Sequence, residues 1–547
     1  MNKMKRYRFD HIKIAVILLT GSLLSSCGGQ LEVTPPNAIY DEQIKEILAS
    51  GDSAKIMIVM KGMADAIPGT INTEGVEGVI DGDIRYRQIQ GQDCMRNLEG
   101  NDIVLGDRSI FEDVGRYSPS EEYSLQNFVS ASSQKNAPYW NWGWQCITVA
   151  NKMLNYLDDQ TVDKHPYLRE FKARGLILRA YAYNYLMENY QDAYLSGGKE
   201  KLGVMLYDVY DPAQPDKPRA SAVETYNFIK KDLREAIFLL EAAGIGYTAA
   251  VTDLDMGVAR FILARVSLWT GDWETVVSAC DDILAHYPAL MPQAVYGGKN
   301  KGSRENPEIR PETNGFLFND VNPEVILGFP NGEALTFHQG LMNPFGEGKG
   351  GVLGNYERID ERLYRKIADA DYRKDCFVEE YWGDYTYPRA GVVHAIPSYI
   401  NLKFAATHGV GSDDKKNVGD VSCYYMRCSE VLLMKAEAYA QSDRGTEAKE
   451  TLDILLAART RKGTEALTCD TYPSMNGLTA LQMVQLQTRI ELWGEGGREY
   501  YNNKRWNIPV DRTSSRTHVV KSTYPVSGMT LQIPENTILY NPLCVQN

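Results

Sequence analysis

Histidine is scarce in this chain, with seven in 547 residues, and none sits in an HExxH or comparable metal-binding spacing. The nine cysteines include no CxxC pair, so neither a zinc ribbon nor a dithiol redox motif is encoded. GxSxG, P-loop and Cys/His nucleophile patterns are missing as well. Motif spacing therefore selects no metal, no cofactor and no catalytic nucleophile. Excess positive charge is also lacking. The net charge is −13, and a surface this acidic repels phosphate backbones, which excludes a nucleic-acid partner. Beyond residue 24 there is no apolar run approaching the roughly 20 residues a membrane helix needs, so the body of the chain is not expected to span a bilayer.

The N-terminus has the build of an export signal. Lys3, Lys5, Arg6 and Arg8 precede a short apolar run from Ile14 to Leu24. That run is too short for an anchor helix and reads as a removed leader. Leu24-Ser25-Ser26-Cys27 then places small residues directly before a cysteine, the pattern of a bacterial lipobox. Residues 1–26 are read as a lipoprotein signal, Cys27 as the lipidation site and residues 27–40, with Pro35-Pro36, as a tether. Two acyl chains would be needed, since one gives only marginal membrane binding. The other cysteines are scattered, and no disulfide is assigned. Cys146 and Cys280 fall inside apolar helical patterns, where a buried thiol is expected.

From residue 41 the pattern is mainly helical. Helices are predicted from Asp41, over Ser53–Ala66, from Tyr139 through Leu154, and over Tyr167–Tyr190 and Ser221–Leu240. Hairpins are predicted for Met256–Thr270 with Trp273–Tyr287 and for Tyr425–Gln441 with Thr446–Arg461. Small residues in the first helix, a short polar turn and a second amphipathic helix are the grammar of tetratricopeptide-like pairs. The fold class is therefore a helix-pair scaffold spanning about 41–287 and 423–547. Between them lies an irregular, aromatic-rich insertion of about 288–422. Long irregular segments in a helical chain usually carry function, so the ligand-facing side is assigned there. Residues 41–547 are treated as one domain.

Seven blocks then resemble the SusD/RagB family of nutrient-binding lipoproteins of Bacteroidota outer membranes. They are Trp140-x3-Trp144 leading to Ala150-Asn151; Arg179-Ala180 with Tyr183; Arg219-Ala220-Ser221 with Tyr226 and Asp232-Leu233; Ala264-Arg265 with Gly271-Asp272-Trp273; Arg427 to Ala438; Glu491-Leu492-x2-Glu495-Gly496-x-Arg498 with Arg505-Trp506; and Ile533-Pro534, Asn541-Pro542 and Gln546-Asn547. Gln487-Thr488 departs from the family's usual Glu-Arg. The resemblance implies a lipid-anchored protein on the extracellular side of the outer membrane. It would bind a glycan and deliver it to a SusC-like TonB-dependent transporter, without enzymatic chemistry. The RagB branch implies a peptide ligand in the same role.

Candidate ligand contacts follow from chemistry. Flat rings cover a sugar's apolar face while amides and charged groups satisfy its hydroxyls. The run from Asn136 through Tyr139, Trp140 and Trp142 combines both. Trp140 and Trp144 share a helical face, and a turn of about 100° per residue points Trp142 away from it. Arg85 with Tyr86, and Tyr381 and Trp382 with Tyr385, are two further candidates. Glu491, Glu495 and Arg498 fall at i, i+4 and i+7, the spacing of a structural ion-pair network on one helical face, and Arg427 with Glu430 and Glu437 is read the same way. The chain has 71 acidic residues, and no spacing singles out a pair suited to glycoside hydrolysis. An enzyme or an assembly scaffold remains open as an alternative.

Overall fold

The computed structural model describes residues 41–72, 89–105, 121–125, 129–298, 313–329, 357–380, 382–386, 393–396, 398–405 and 422–547. Cys27, Arg85, Tyr86 and Tyr381 lie outside the described residues. The chain divides into two compact units, residues 1–59 and 60–547. In the first, helix α1 (Asp41–Ser50) ends before Asp52, whose carboxylate accepts the backbone N–H groups of Ala54 and Lys55. That N-cap starts α2 (Ser53–Ile71), which continues through Pro68, past its predicted end at Ala66.

The second unit is mainly helical. Its short helices are α3 (Ile89–Asn97), α4 (Glu121–Ser124), α6 (Asp159–Lys164), α11 (Glu361–Tyr364) and α16 (Glu535–Tyr540). The scaffold is a succession of packed neighbours: α5 (Ala137–Leu154) on α7 (Arg169–Tyr190), α7 on α8 (Ala222–Ala242), and α8 on α9 (Met256–Thr270). Next, α9 pairs with α10 (Trp273–His286), α10 packs on α12 (Cys428–Gln441), and α12 on α13 (Gly445–Arg459) and α14 (Ala480–Glu491). Helix α15 (Arg498–Trp506) follows. This chain of neighbouring pairs is the predicted tetratricopeptide-like architecture. Helix α7 is buried on nearly all sides because α5 and α8 flank it. The α5–α7 approach depends on Gly143, where a Cβ would lie 2.6 Å from Leu186 Cγ. Helix starts are set locally: Ser221 with Glu224 and Thr479 with Gln482 close capping boxes.

Ion pairs lock the neighbours together. Arg179 on α7 grips Asp232 on α8 through two bonds of 2.7 and 2.9 Å and donates to Asn151 on α5. Arg265 on α9 reaches Glu430 on α12 at 2.7 Å, and Arg505 on α15 holds Glu437 on α12. The polar residues of the sequence blocks are thus the clasps between successive helices.

The strands are short. β1 (Ile103–Leu105), β3 (Glu357–Ile359), β7 (Ile400–Asn401) and β4 (Phe377–Val378) form one antiparallel sheet in the order β1-β3-β7-β4. β5 (Trp382–Thr386) pairs with β6 (Val393–Ile396), and β9 (Val510–Asp511) with β10 (Thr523–Tyr524). β2 (Val325–Phe329) pairs antiparallel with β8 (Cys423–Arg427), Val325 opposite Arg427. Tyr425 to Arg427 was expected to be helical. Arg427 instead has extended backbone, at φ −145° and ψ 157°, and the strand hands over to α12 only at Cys428.

Parts of the segment expected to be an irregular insertion are core. Phe316, Val325 to Phe329, Tyr372 and Phe404 are buried, and Glu324, Asp371, Arg373 and Lys403 enter a buried charge network. Arg427 donates to Glu324 (2.7 Å), Glu491 (2.8 Å) and Glu495 (2.7 Å). Arg459 bonds Glu324 (2.6 Å) and Glu491 (2.8 Å). Arg373 joins Asp371 (2.6 Å) to Glu491 (3.0 Å), and Lys403 reaches Glu495 at 2.5 Å. The four cations and four carboxylates balance. Gln487 is the neutral partner, its Oε1 accepting from Arg373 at 2.5 Å. Burial alone would raise the Glu324 carboxyl, but Arg459 and Arg427 hold it at about 2. Glu491 is likewise held well below the carboxylate range: burial opposes, and Arg459, Arg427 and Arg373 prevail.

Glu491, Glu495 and Arg498 do form ion pairs, but not on one helical face. Helix α14 ends at Glu491, and Gly494, Gly496 and Gly497 take positive φ before α15 begins at Arg498. The turn sends Arg498 toward Glu188 instead, at 3.8 Å.

Candidate functional site

Helix α5 carries the first group of predicted contacts, and the structure puts them inside. Trp142 is 1% exposed, edge-on to Tyr185 at 4.7 Å and to Tyr181 at 5.7 Å. Trp140 packs edge-on against Tyr190 at 4.8 Å. Tyr139 lies under Arg96, 4.2 Å from guanidinium to ring centre, and its hydroxyl donates to Gln92 O. The expectation that Trp142 faces away from the packed side is corrected: α3 and α7 both pack on α5, so the turn that takes Trp142 off one buried face delivers it to another. Trp382 and Tyr385 lie on β5, opposite Ile396 and His394, with a register irregularity between them.

Asn136 and Trp140 are buried directly beneath an open cleft. Tyr190, the last residue of α7, donates from its hydroxyl to Asn136 O at 2.7 Å, and Asn136 Nδ2 donates to Gln532 O at 2.6 Å. The chain leaves α7 in extended backbone at Gln191 and turns through Tyr194–Ser196 into Gly197, whose φ of +97° suits glycine. It then pairs Leu202 with Ser221. Facing this turn is the C-terminal segment from Ser527 to Asn547. Together they enclose a cleft of about 490 Å³.

Each wall is tied down. Leu531 N donates to Asn189 O at 2.9 Å. The Arg219 guanidinium donates to the carbonyls of Gly203 (2.6 Å), Leu202 (3.0 Å) and Val545 (3.2 Å), so one cation joins both sides. Asp192 accepts from Lys201 and from Thr530 Oγ1 at 2.5 Å. Burial would raise its carboxyl, and these two donors hold it below the usual range. Gln546 bonds both the N–H and the C=O of Ile533. The lining is dense in polar groups: Gln191, Asp192, Glu200, Lys201, Arg219 and Gln532. None of these was predicted as a ligand contact. The local signal was Gly197-Gly198 in a polar stretch after an apolar helix.

A second, smaller cavity of about 50 Å³ lies among Gln90, Asp93, Arg265, Glu430, Glu495 and Arg498. Its size suits water rather than an organic ligand. Burial pushes the Asp93 carboxyl up to about 7, against the pull of Arg498. Among the described residues, no group of three or more His, Cys, Asp and Glu side chains is placed to hold a metal ion. Cys146 and Cys280 are buried, as expected from their helical patterns, and burial pushes both thiols upward. No described helix is long and apolar enough to cross a membrane.

The architecture is a helix-pair scaffold with an open polar cleft held between fixed walls. Two family models match it: the SusD family over residues 293–538, and a SusD-like family described as starch-binding, associating with the outer membrane, over residues 93–250. SusD-like protein P38 of Formosa agariphila is 22% identical, covering 96% of this chain and 95% of that protein. A SusD-like carbohydrate binding protein from Bacteroides vulgatus superimposes with a TM-score of 0.64 at 20% identity, over 90% of this chain and 97% of that one. A SusD superfamily protein from Bacteroides thetaiotaomicron also gives 0.64, at 18% identity, over 89% and 99%. The chain belongs to the SusD/RagB family.

Proposed function

We propose that this protein is a lipid-anchored receptor of the outer membrane that captures glycan and passes it intact to a SusC-like TonB-dependent transporter. The observation that carries the reading is the match of residues 93–250 to the starch-binding, outer-membrane-associating model. The Formosa and Bacteroides relatives and the polar cleft support it. Lipidation at Cys27 would fix the acidic body beside the pore. Arg85 with Tyr86, and Tyr381 and Trp382 with Tyr385, are the proposed ring and hydrogen-bond contacts to the glycan. The chemistry required is reversible capture: stacking and hydrogen bonding that raise glycan concentration at a transporter mouth.

Native gel electrophoresis through embedded polysaccharides tests the capture, and affinity purification from solubilised outer membranes tests the partnership. Retardation by one or more glycans and co-purification of a TonB-dependent transporter are expected. Migration indifferent to every glycan, together with retention on oligopeptides, would overturn the glycan reading in favour of a peptide receptor.

A further inference from the structure

The cleft after α7 differs in kind from the loop-rich face assigned above to the ligand. It is built wholly from the scaffold: the turn leaving α7 and the C-terminal segment. Its volume of about 490 Å³ falls within the range of small-molecule sites, about 300–1,000 Å³. Its walls are cross-tied by Arg219 and Asp192, and Gln546 braces the C-terminal wall at Ile533, so little freedom would be lost on binding.

The lining also says what would fit. Two carboxylates, Asp192 and Glu200, face two cations, Lys201 and Arg219. Lys201 is paired with Asp192 and Arg219 is engaged by carbonyls, so no free countercharge offsets the desolvation of an acidic ligand. What remains is a mixture of donors and acceptors. The Gln191 side chain is 1% exposed, its Nε2 donates to Gly198 O, and its Oε1 has no partner. Glu200, Lys201 and Gln532 are exposed at the rim. Each sugar hydroxyl both donates and accepts, and so matches such a set better than a group of one polarity. Leu202, 39% exposed, offers apolar surface to a ring face. Tyr190 lines the cleft but is fully buried against Trp140, so binding here would rest on hydrogen bonds more than on stacking.

We propose that this cleft is a saccharide subsite separate from the loop-rich face, selective for a short stretch of neutral glycan over an acidic one. The proposal rests on the glycan-binding reading and adds a place and a charge preference to it. Hydrogen exchange of the mature chain, read by mass spectrometry, separates the two. The probes are neutral oligosaccharides of glucose, mannose, galactose and xylose, with oligogalacturonate as the acidic counterpart. The expected result is slowed exchange in peptides covering residues 191–203 and 527–547 with at least one neutral probe, and not with oligogalacturonate. Ser527→Trp, which fills the mouth from an exposed position, should abolish that protection. The milder Glu200→Ala should weaken binding there about tenfold. Slowed exchange elsewhere alone would sink the subsite and leave the glycan reading standing. Equal protection by oligogalacturonate would refute the charge preference. No change anywhere with any probe would sink both.

Discussion

Arg427 and Glu491 are 64 residues apart in the chain and 2.8 Å apart in the fold, both buried. Arg427 ends β8 directly before α12, while Glu491 closes α14. Around them Arg459, Arg373, Lys403, Glu324, Glu495 and Asp371 bring helices and loop-rich segments to one point. A buried pair is weak as a source of net stability, because desolvation offsets much of the attraction. Removing one member is another matter, since its partners are then left charged in a dry interior.

Arg459→Ala leaves Glu324 and Glu491 each short of a cation. It should destabilise the unit by about 3–5 kcal/mol, read as a fall in the urea midpoint or in Tm. Arg444→Ala breaks an exposed pair with Glu447 and should leave both unchanged. Equal effects from the two would contradict the structural role of the network.

Stability should respond to pH in two opposed ways. Glu324 is depressed in the fold from its ordinary 4.5 to about 2, so its contribution is complete above about 4.5 and is lost as pH falls toward 2. Asp93 is raised from 3.8 to about 7. The folded state holds its proton more tightly, so its contribution is complete below 3.8 and is lost as pH rises through 7. Asp93→Asn mimics the protonated form. The variant should therefore gain on the parent in denaturant midpoint when the comparison moves from about pH 5 to about pH 8. A gap that stays constant would mean that Asp93 titrates normally.

Trp142→Ala should act on stability rather than recognition. Excising a fully buried indole costs about 3–5 kcal/mol. Glycan affinity of the folded fraction should match that of the parent. A selective loss of binding with unchanged Tm would restore Trp142 as a ligand contact.

Gly143→Ala puts a methyl into Leu186, with too little room for either helix to keep its position. Overpacking of this kind costs about 1–3 kcal/mol, and Tm should fall accordingly.

Much of the scaffold was legible because its signals are local. The 3–4 spacing of α7, α9 and α10 and the polar turn at Gly271-Asp272 placed those helices almost to the residue. The ion-pairing role of Arg427, Glu430 and Glu437 was legible too. Their partners were not, because Glu430 meets Arg265 and Glu437 meets Arg505 only after the helices stack. The buried part of the loop-rich segment was not legible, since Glu324, Arg373 and Lys403 look like surface residues until their countercharges arrive from elsewhere. Trp142 was misplaced for a related reason. A helical wheel tells which residues share a face but not how many faces are covered, and α5 is covered on two. The cleft after α7 joins segments more than 300 residues apart, a distance no periodicity reports.

Calorimetric titration of the mature chain with neutral oligosaccharides, with the sugars then recovered and sized by mass spectrometry, decides whether the protein captures glycan and leaves it intact. Saturable heat with at least one glycan, and every molecule recovered uncut, is the predicted result. Heat only with peptides, or recovery of shortened glycan that a single acid substitution prevents, would contradict it.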